Sequence, residues 1–337
     1  MSHIISTLLS DLNSLNLRDL QISTYSRKAL RRTLDAAQYY LEIYNRCLDE
    51  MLQRCALPPE EMTVVDYGGG HGLLSILAKR VGFRQVIYVD YSTDAFRTVG
   101  VLSQLLGGGP DVMLLGDAAT LADWCKKNDV RPNALLGMDV IEHVYVLDSL
   151  FGSLHAISPD MKMVFTTAST PYNKRIVRKL HRAMQKDELG TVRHKGFWQM
   201  RYEHIRKLYP DMSEHELAQW ADDTRGLTYS DLERAVEAQS PNLLLDQFNT
   251  CDPETGSWTE RILPIDDYRQ ILIPYGFNLL VLPGRYNDHR HGPKQWISRH
   301  FNRRIDKAPN TEPSGFFQRR RLRKALQSAP FIYLIIG

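Results

Sequence analysis

Residues Val64-Val65-Asp66-Tyr67-Gly68-Gly69-Gly70-His71-Gly72 join an apolar strand, an acid and then glycine at every second position. No other run constrains the fold as much. A buried strand that turns at once into a helix, with its backbone against a ligand, needs glycine where a Cβ would clash or resist the dihedrals. Asp66 then closes the strand on the ligand side. A dinucleotide-binding turn reads G-x-G-x-x-G, with the third glycine five places after the first. Here Gly68, Gly70 and Gly72 are evenly spaced behind Asp66, which points to a nucleoside ligand of another kind. Taken alone, the run is also compatible with a glycine-rich turn that holds nothing.

The segments that follow repeat one plan. Leu73 to Val81 reads as a helix with one apolar face, and Gln85-Val86-Ile87-Tyr88-Val89-Asp90 as a second strand ending in a carboxylate. An acid there, about 20 residues past the glycine turn, can accept hydrogen bonds from both ribose hydroxyls. The third strand, Val112 to Leu115, leads into Gly116-Asp117-Ala118. There the Asp117 side chain or a neighbouring backbone N–H could read an adenine edge, although an Asp in this position is by itself more often a cap for the helix that begins near Thr120. The fourth strand, Ala134 to Met138, ends in Asp139-Val140-Ile141-Glu142-His143, and Met161 to Thr167 reads as the fifth. Strict β-α alternation over residues 62–168 predicts parallel strands with helices on both faces and a ligand outside the carboxyl ends. Asp66, Asp90, Asp117 and Asp139 all fall at those ends.

The pattern D-x-G-x-G-x-G, made by Asp66, Gly68, Gly70 and Gly72, resembles the first motif of class I S-adenosylmethionine-dependent methyltransferases. Asp139-x-x-Glu142-His143 resembles the segment after strand four in the ubiquinone O-methyltransferase-like branch. The resemblance implies an α/β fold: a doubly wound, Rossmann-like sheet of seven strands, with S-adenosylmethionine as cofactor. It implies that backbone groups of Gly68, Gly70 and Gly72 approach the methionine portion and that Asp66 orients its ammonium. Asp90 with Tyr91 would hold the ribose, Asp117 with Ala118 the adenine, and Asp139 with Val140 would border the reactive methyl. His143 is the candidate base, because an imidazole can take up a proton near neutrality. Glu142 would orient it or take part itself; the plainer reading of His143 is a capping or surface residue. No metal is needed for this chemistry. Small-RNA 2′-O-methyltransferases do bind a divalent metal through a Glu-x-x-Glu-His run and a distant His. Asp139, Glu142 and His143 keep that spacing, but a further ligand such as His194 or His204 has no supporting spacing.

Composition permits this reading without selecting it. The chain has 337 residues, 43% of them hydrophobic, enough for a sizeable core. No apolar run approaches the roughly 18 residues of a membrane span, and the N-terminal residues do not read as an export signal. The expected compartment is the cytoplasm, with peripheral membrane attachment as an option. Cys47, Cys55, Cys125 and Cys251 lack C-x-x-C spacing and are expected to be reduced thiols. Four regions are expected. Residues 1–60 form a helical cap with Tyr39, Leu41, Tyr44, Leu48 and Leu52 at helical spacing, and 61–170 the cofactor-binding core. Residues 171–262 form a helical insertion in which Ser213 and Glu216 make a capping box and Thr228 opens another helix toward Ala238. Trp198, Tyr202 and His204 either line an acceptor pocket or stack within that insertion. Residues 263–337 complete the core: a helix from Ile265 to Tyr275 ended by Gly276, strand six at Phe277 to Leu282, and strand seven at Pro330 to Ile336.

Residues 285–324 hold twelve Lys or Arg against three acids, a net +9, while the rest of the chain has 30 cations against 36 acids. With Phe301, Phe316 and Phe317, this suits an anionic substrate or an acidic lipid surface; a solvated basic face is the plainer reading. Base N-methylases usually carry Asn or Asp, Pro-Pro and an aromatic after strand four, which Asp139-Val140-Ile141-Glu142 does not match. The expected acceptor is therefore an oxygen of a small, amphipathic or lipid-linked molecule. An RNA ribose hydroxyl, a catalytically silent cofactor-binding scaffold and a nicotinamide-dependent oxidoreductase are the alternatives. The sequence leaves the oligomeric state open.

Overall fold

A computed structural model describes residues 2–192, 194–241, 246–289 and 292–337. The chain divides into two compact units, residues 1–140, 148–167 and 269–337 forming the first and residues 141–147 and 168–268 the second.

The first unit is built on one seven-stranded sheet. Helices α1 (Ser2–Ser14), α2 (Thr24–Leu34) and α3 (Ala37–Cys55) precede β1 (Thr63–Tyr67), α4 (Leu73–Val81), β2 (Gln85–Asp90), α5 (Thr93–Leu105) and β3 (Val112–Leu115). There follow α6 (Ala118–Asn128), β4 (Ala134–Met138), α7 (Leu147–Ile157) and β5 (Lys162–Thr167). Strand order is β3-β2-β1-β4-β5, all parallel, continued by two antiparallel pairings to β7 (Ile332–Ile336) and then β6 (Leu279–Pro283). Order reverses between β1 and β4, so the crevice outside their carboxyl ends is the switch point where such sheets bind ligands. Strands covered on both faces need apolar residues throughout, and β1, β7 and nearly all of β2 and β5 are buried end to end. Edge strand β3 is only half-buried.

The strands and helices of this unit form where the sequence placed them, with small shifts: β5 begins at Lys162 rather than Met161, whose N–H turns back to Ser158 O, and the others lie at the C-terminal end. The Ile265–Tyr275 helix is α-helical only to Leu272 and finishes as a 3₁₀ turn, closed by Gly276 in the left-handed region. Strand six begins two residues later than read, because the Phe277 N–H closes that turn on Leu272 O. Strand seven begins after Pro330, which has no N–H for a ladder, and Phe331, whose carbonyl accepts from Gly284. Helix α3 packs on β4 and β5 through Leu41, Cys47, Leu48 and Met51.

The second unit holds α8 (Lys174–Leu189), α9 (Phe197–Leu208), α10 (Glu214–Asp223) and α11 (Tyr229–Glu237). The Ser213–Glu216 capping box forms as expected, and Thr228 caps α11. Ile205, Leu217, Leu232 and Val236 make one small core, and Leu180, Met184 and Ile262 another. Arg201 and Glu188 form a fully buried ion pair at 2.5 Å, completed by Thr250 on Glu188 and by the Ala221 carbonyl on Arg201. Such a pair is tolerated only when these extra hydrogen bonds offset its desolvation.

The basic segment supplies α13 (Pro293–Ile305) and α14 (Phe316–Ser328) to the first unit, after α12 (Ile265–Leu272); Arg290 lies outside the described residues. Among the described residues no helix is long and apolar enough to cross a membrane. All four cysteines are free thiols.

Candidate functional site

The glycine turn joins β1 to α4, and its three motif glycines meet different surroundings. Gly68 and Gly72 have positive φ, and a Cβ on either would fall within 2.4 Å of Val140 or 2.1 Å of Val99. Gly70, at φ +54°, would direct a Cβ into open space with nothing within 4 Å. The turn is thus packed by protein on two sides and bare on the third, a cradle fit for a ligand. Gly70 is held in that pose from both ends: its N–H donates to Asp90 Oδ2 at 2.9 Å and its carbonyl accepts from the Tyr88 hydroxyl at 2.8 Å.

Asp90 is buried at the end of β2. Its Oδ1 accepts from Ser92 N–H at 2.8 Å, so each carboxylate oxygen holds one backbone donor and keeps a lone pair for a ribose hydroxyl. Tyr91 beside it is exposed. Asp117 is the N-cap of α6, accepting from Ala119 and Thr120 through Oδ1, so the capping reading of this residue is realised. Ala118 is buried next to it.

Asp66 is buried at the end of β1, and its Oδ2 accepts from both Ser75 N–H (3.0 Å) and Ser75 Oγ (2.6 Å). Burial pushes its carboxyl up to about 7, against the lowering effect of the two Ser75 hydrogen bonds. A carboxyl raised above its ordinary value of about 3.9 favours the folded state most below that value, and the contribution is lost as pH rises through about 7. A ligand ammonium beside Asp66 would favour the charged form and expel the proton. Cofactor affinity should therefore rise from pH 6 to pH 8 with release of a proton, measurable by calorimetry in buffers of different ionisation enthalpy. Affinity without proton exchange would show that the ammonium does not meet Asp66.

Asp139, just past β4, has φ +48°, a conformation that costs a non-glycine residue about 1–2 kcal/mol. Its N–H is fixed by the Thr166 carbonyl at 3.0 Å. Val140 packs on Gly68.

Two contributions come from the N-terminal helices and carry no motif. Burial, then the carboxylates of Asp66 and Asp139, hold the Tyr44 hydroxyl of α3 well above its ordinary value. His71 in the glycine turn meets backbone of Ser26 in α2, and burial lowers its pKa. Farther along the same edge, a cavity of about 410 Å³ lies among Tyr39 and Arg46 of α3, Pro283 at the end of β6 and Arg285 beyond it, Ile305 of α13, and Tyr333 of β7. Tyr333 is paired with Thr166, and β7 lies two strand spacings, about 10 Å, from β4.

Glu142 and His143 belong to the second unit, in a 3₁₀ turn over Ile141–His143. His143 Nδ1 lies 2.7 Å from the Trp258 carbonyl. A carbonyl can only accept, so Nδ1 carries the proton and Nε2 keeps the lone pair, the tautomer a general base requires. The group that holds Nδ1 is thus the Trp258 carbonyl, 115 residues away. Glu142 is buried; its carbonyl accepts from Arg261 N–H, and its carboxylate adds to the burial that raises the nearby Tyr268 hydroxyl. Arg261 stacks on the Trp258 ring and donates to the Tyr145 carbonyl.

Trp198, Tyr202 and His204 make contacts inside the insertion. Trp198 stacks on Tyr202 and donates to Asp222, and His204 stacks on Tyr229 and meets Glu233 at 2.7 Å. His194 shares a backbone bridge with Thr191. Among the described residues no group of three or more His, Cys, Asp and Glu side chains is gathered as for a metal.

The methyltransferase domain family matches residues 37–231, more than half of the chain, and the chain belongs to that family. With its seven-stranded sheet and D-x-G-x-G-x-G turn, it is a class I S-adenosylmethionine-dependent methyltransferase. No curated protein matches the chain in sequence. Among solved structures it is similar to a putative S-adenosylmethionine-dependent methyltransferase from Listeria monocytogenes, at 12% identity over 86% of this chain and 97% of that one, TM-score 0.38. It is also similar to the magnesium protoporphyrin IX methyltransferase of Synechocystis, at 15% identity over 53% and 84%, TM-score 0.32. A third is an S-adenosylmethionine-dependent methyltransferase from Agrobacterium tumefaciens, at 17% identity and TM-score 0.33. The match covers 42% of this chain and about half, 49%, of the Agrobacterium protein.

Proposed function

We propose that the protein methylates an oxygen of a small, amphipathic or lipid-linked acceptor, as in the ubiquinone O-methyltransferase-like branch. The observation that carries this reading is the tautomer of His143, with its Nδ1 proton donated to the Trp258 carbonyl and Nε2 left as acceptor. A hydroxyl acceptor must lose its proton as it is methylated, and a neutral imidazole with a fixed ring is suited to take it. S-adenosylmethionine supplies an electrophilic methyl group. The chain's own residues have the remaining tasks. The bare face of Gly70 and the Asp90 carboxylate hold the cofactor, Asp66 and Asp139 border it, and His143 Nε2 receives the acceptor proton. The cationic and aromatic residues of 285–324 favour an amphipathic or lipid-linked acceptor over a freely soluble one.

The test supplies methyl-tritiated S-adenosylmethionine with three acceptor sets: prenylated phenols, short-chain carboxylic acids and structured RNA. Label in the phenol fraction, lost when His143 is replaced, is the expected result; label in the carboxylate fraction, which has no proton to lose at neutral pH, would mean an acceptor that needs no base. Label recovered as a 2′-O-methyl nucleoside would move the assignment to RNA. Tight cofactor binding with no transfer to any set would indicate a silent scaffold.

A further inference from the structure

Helices α13 and α14 pack on each other, and α14 also packs on β6. Their sequences, PKQWISRHFNRRI and FFQRRRLRKALQS, hold nine Lys or Arg and no acid. Among the described residues none of the nine forms an ion pair, whereas Arg285 just before them is held by Asp288 and Asp306. On α13 only Ser298, Asn302 and Ile305 are buried, one stripe at helical spacing; the remainder, including Lys294, Arg299, Arg303 and Arg304, faces solvent or its margin. On α14 the first two turns are exposed on every side, and the helix is anchored only by its later residues Ala325 and Leu326.

Large apolar groups stand exposed among these cations. Trp296 is 67% exposed, Ile297 49%, Phe316 72% and Phe317 74%. Phe316 and Phe317 rest edge-to-face on each other at the start of α14, immediately before Arg319, Arg320 and Arg321. In water alone, such side chains lose the benefit of burial and invite aggregation, so their exposure beside unpaired cations asks for a partner that is apolar beneath and anionic at its surface. A bilayer with anionic headgroups has both properties, at the spacing of one side chain: guanidinium groups meet phosphates while aromatic rings enter the acyl boundary. Nucleic acid would satisfy the charge but offers nothing to Ile297, and its bases stack on open aromatic faces rather than on a paired edge-to-face couple.

We infer that α13 and α14 dock the protein on anionic lipid surfaces, the cations binding headgroup phosphates and Phe316, Phe317 and Trp296 entering the interface. This attachment holds whatever the acceptor proves to be. It is compatible with catalysis at the bilayer surface, since the C-terminal end of α13 lines the 410 Å³ cavity at the carboxyl edge of the sheet.

The test is flotation of the full-length protein with large unilamellar vesicles of phosphatidylcholine alone or with 30% phosphatidylglycerol added, over a salt series. Two variants, F316S/F317S and R319Q/R320Q/R321Q, replace only exposed residues and should keep the wild-type melting temperature. Binding is expected only to the anionic vesicles, weakening with salt, and at least tenfold weaker in each variant. Equal binding to both vesicle types, or binding to neither, would overturn the inference. So would loss in the arginine variant alone, or binding to single-stranded RNA without binding to vesicles, because either would make the surface a general polyanion site.

Discussion

Gly70→Val should abolish measurable S-adenosylmethionine binding, an affinity loss of at least a hundredfold, while the protein remains folded. The Cβ of any residue at Gly70 enters open space, so nothing in the protein resists the valine side chain itself. What resists is the backbone, at φ +54°, and the ligand that the bare face accommodates. The backbone penalty, about 1–2 kcal/mol, is separable from the ligand clash by a matched control. Gly82 ends α4 with φ +101° and likewise has no neighbour within 4 Å of a Cβ, but it lies at the far end of the helix from the turn. Gly82→Val should therefore lower the melting temperature by a similar amount and leave cofactor affinity unchanged. Equal affinity in the two variants would mean that the bare face of the turn is not the cofactor's place. Gly72→Val is a poor probe by comparison, because its Cβ would collide with Val99 and the fold itself would be lost.

How much of this was legible in the sequence follows from the kind of interaction involved. Strands β2 and β4 begin and end where the sequence placed them, because a strand buried on both faces must be continuously apolar; the half-buried edge strand β3 does so because Asp111 and Gly116 bound its apolar run. The Ser213–Glu216 box and the Thr228 cap were legible for a related reason: both are contacts within four residues of chain. The shifted starts of strands six and seven turn on single backbone groups, the Phe277 N–H and the missing N–H of Pro330, which hydrophobic pattern does not register. Tyr44 was visible as one of a helical stripe, but periodicity reports which face is buried and not what that face meets. The effect of Asp66 and Asp139 on its hydroxyl arises only in the folded chain. Least legible was the hold on His143, since a backbone carbonyl 115 residues distant has no side-chain signature at all. The charge of the basic segment was plain, whereas its helices were not, because cations surround α14 without leaving an apolar stripe.

That carbonyl leads to the second large effect. His143→Ala should lower kcat by about 10²–10⁴-fold, the usual contribution of a positioned general base, with cofactor affinity unchanged. His143 and the residues that hold its ring lie in the second unit, while the Gly70 turn and Asp90 lie in the first, so removing the imidazole leaves the cofactor contacts of the first unit intact. A merely structural role would predict a different pattern, with lowered melting temperature and weakened binding together. Added imidazole discriminates further. If the ring acts by accepting a proton at Nε2, free imidazole should restore part of the turnover of His143→Ala, and it should do nothing for His143→Phe, which refills the space. The Trp258 carbonyl cannot be deleted by changing the Trp258 side chain, but its donor can be kept while the base is removed. His143→Gln retains an N–H able to reach that carbonyl and lacks a group of suitable basicity, so it should keep wild-type stability and lose as much kcat as alanine. If His143→Gln keeps turnover within threefold of wild type, proton removal by His143 is refuted and the acceptor is one that needs no base.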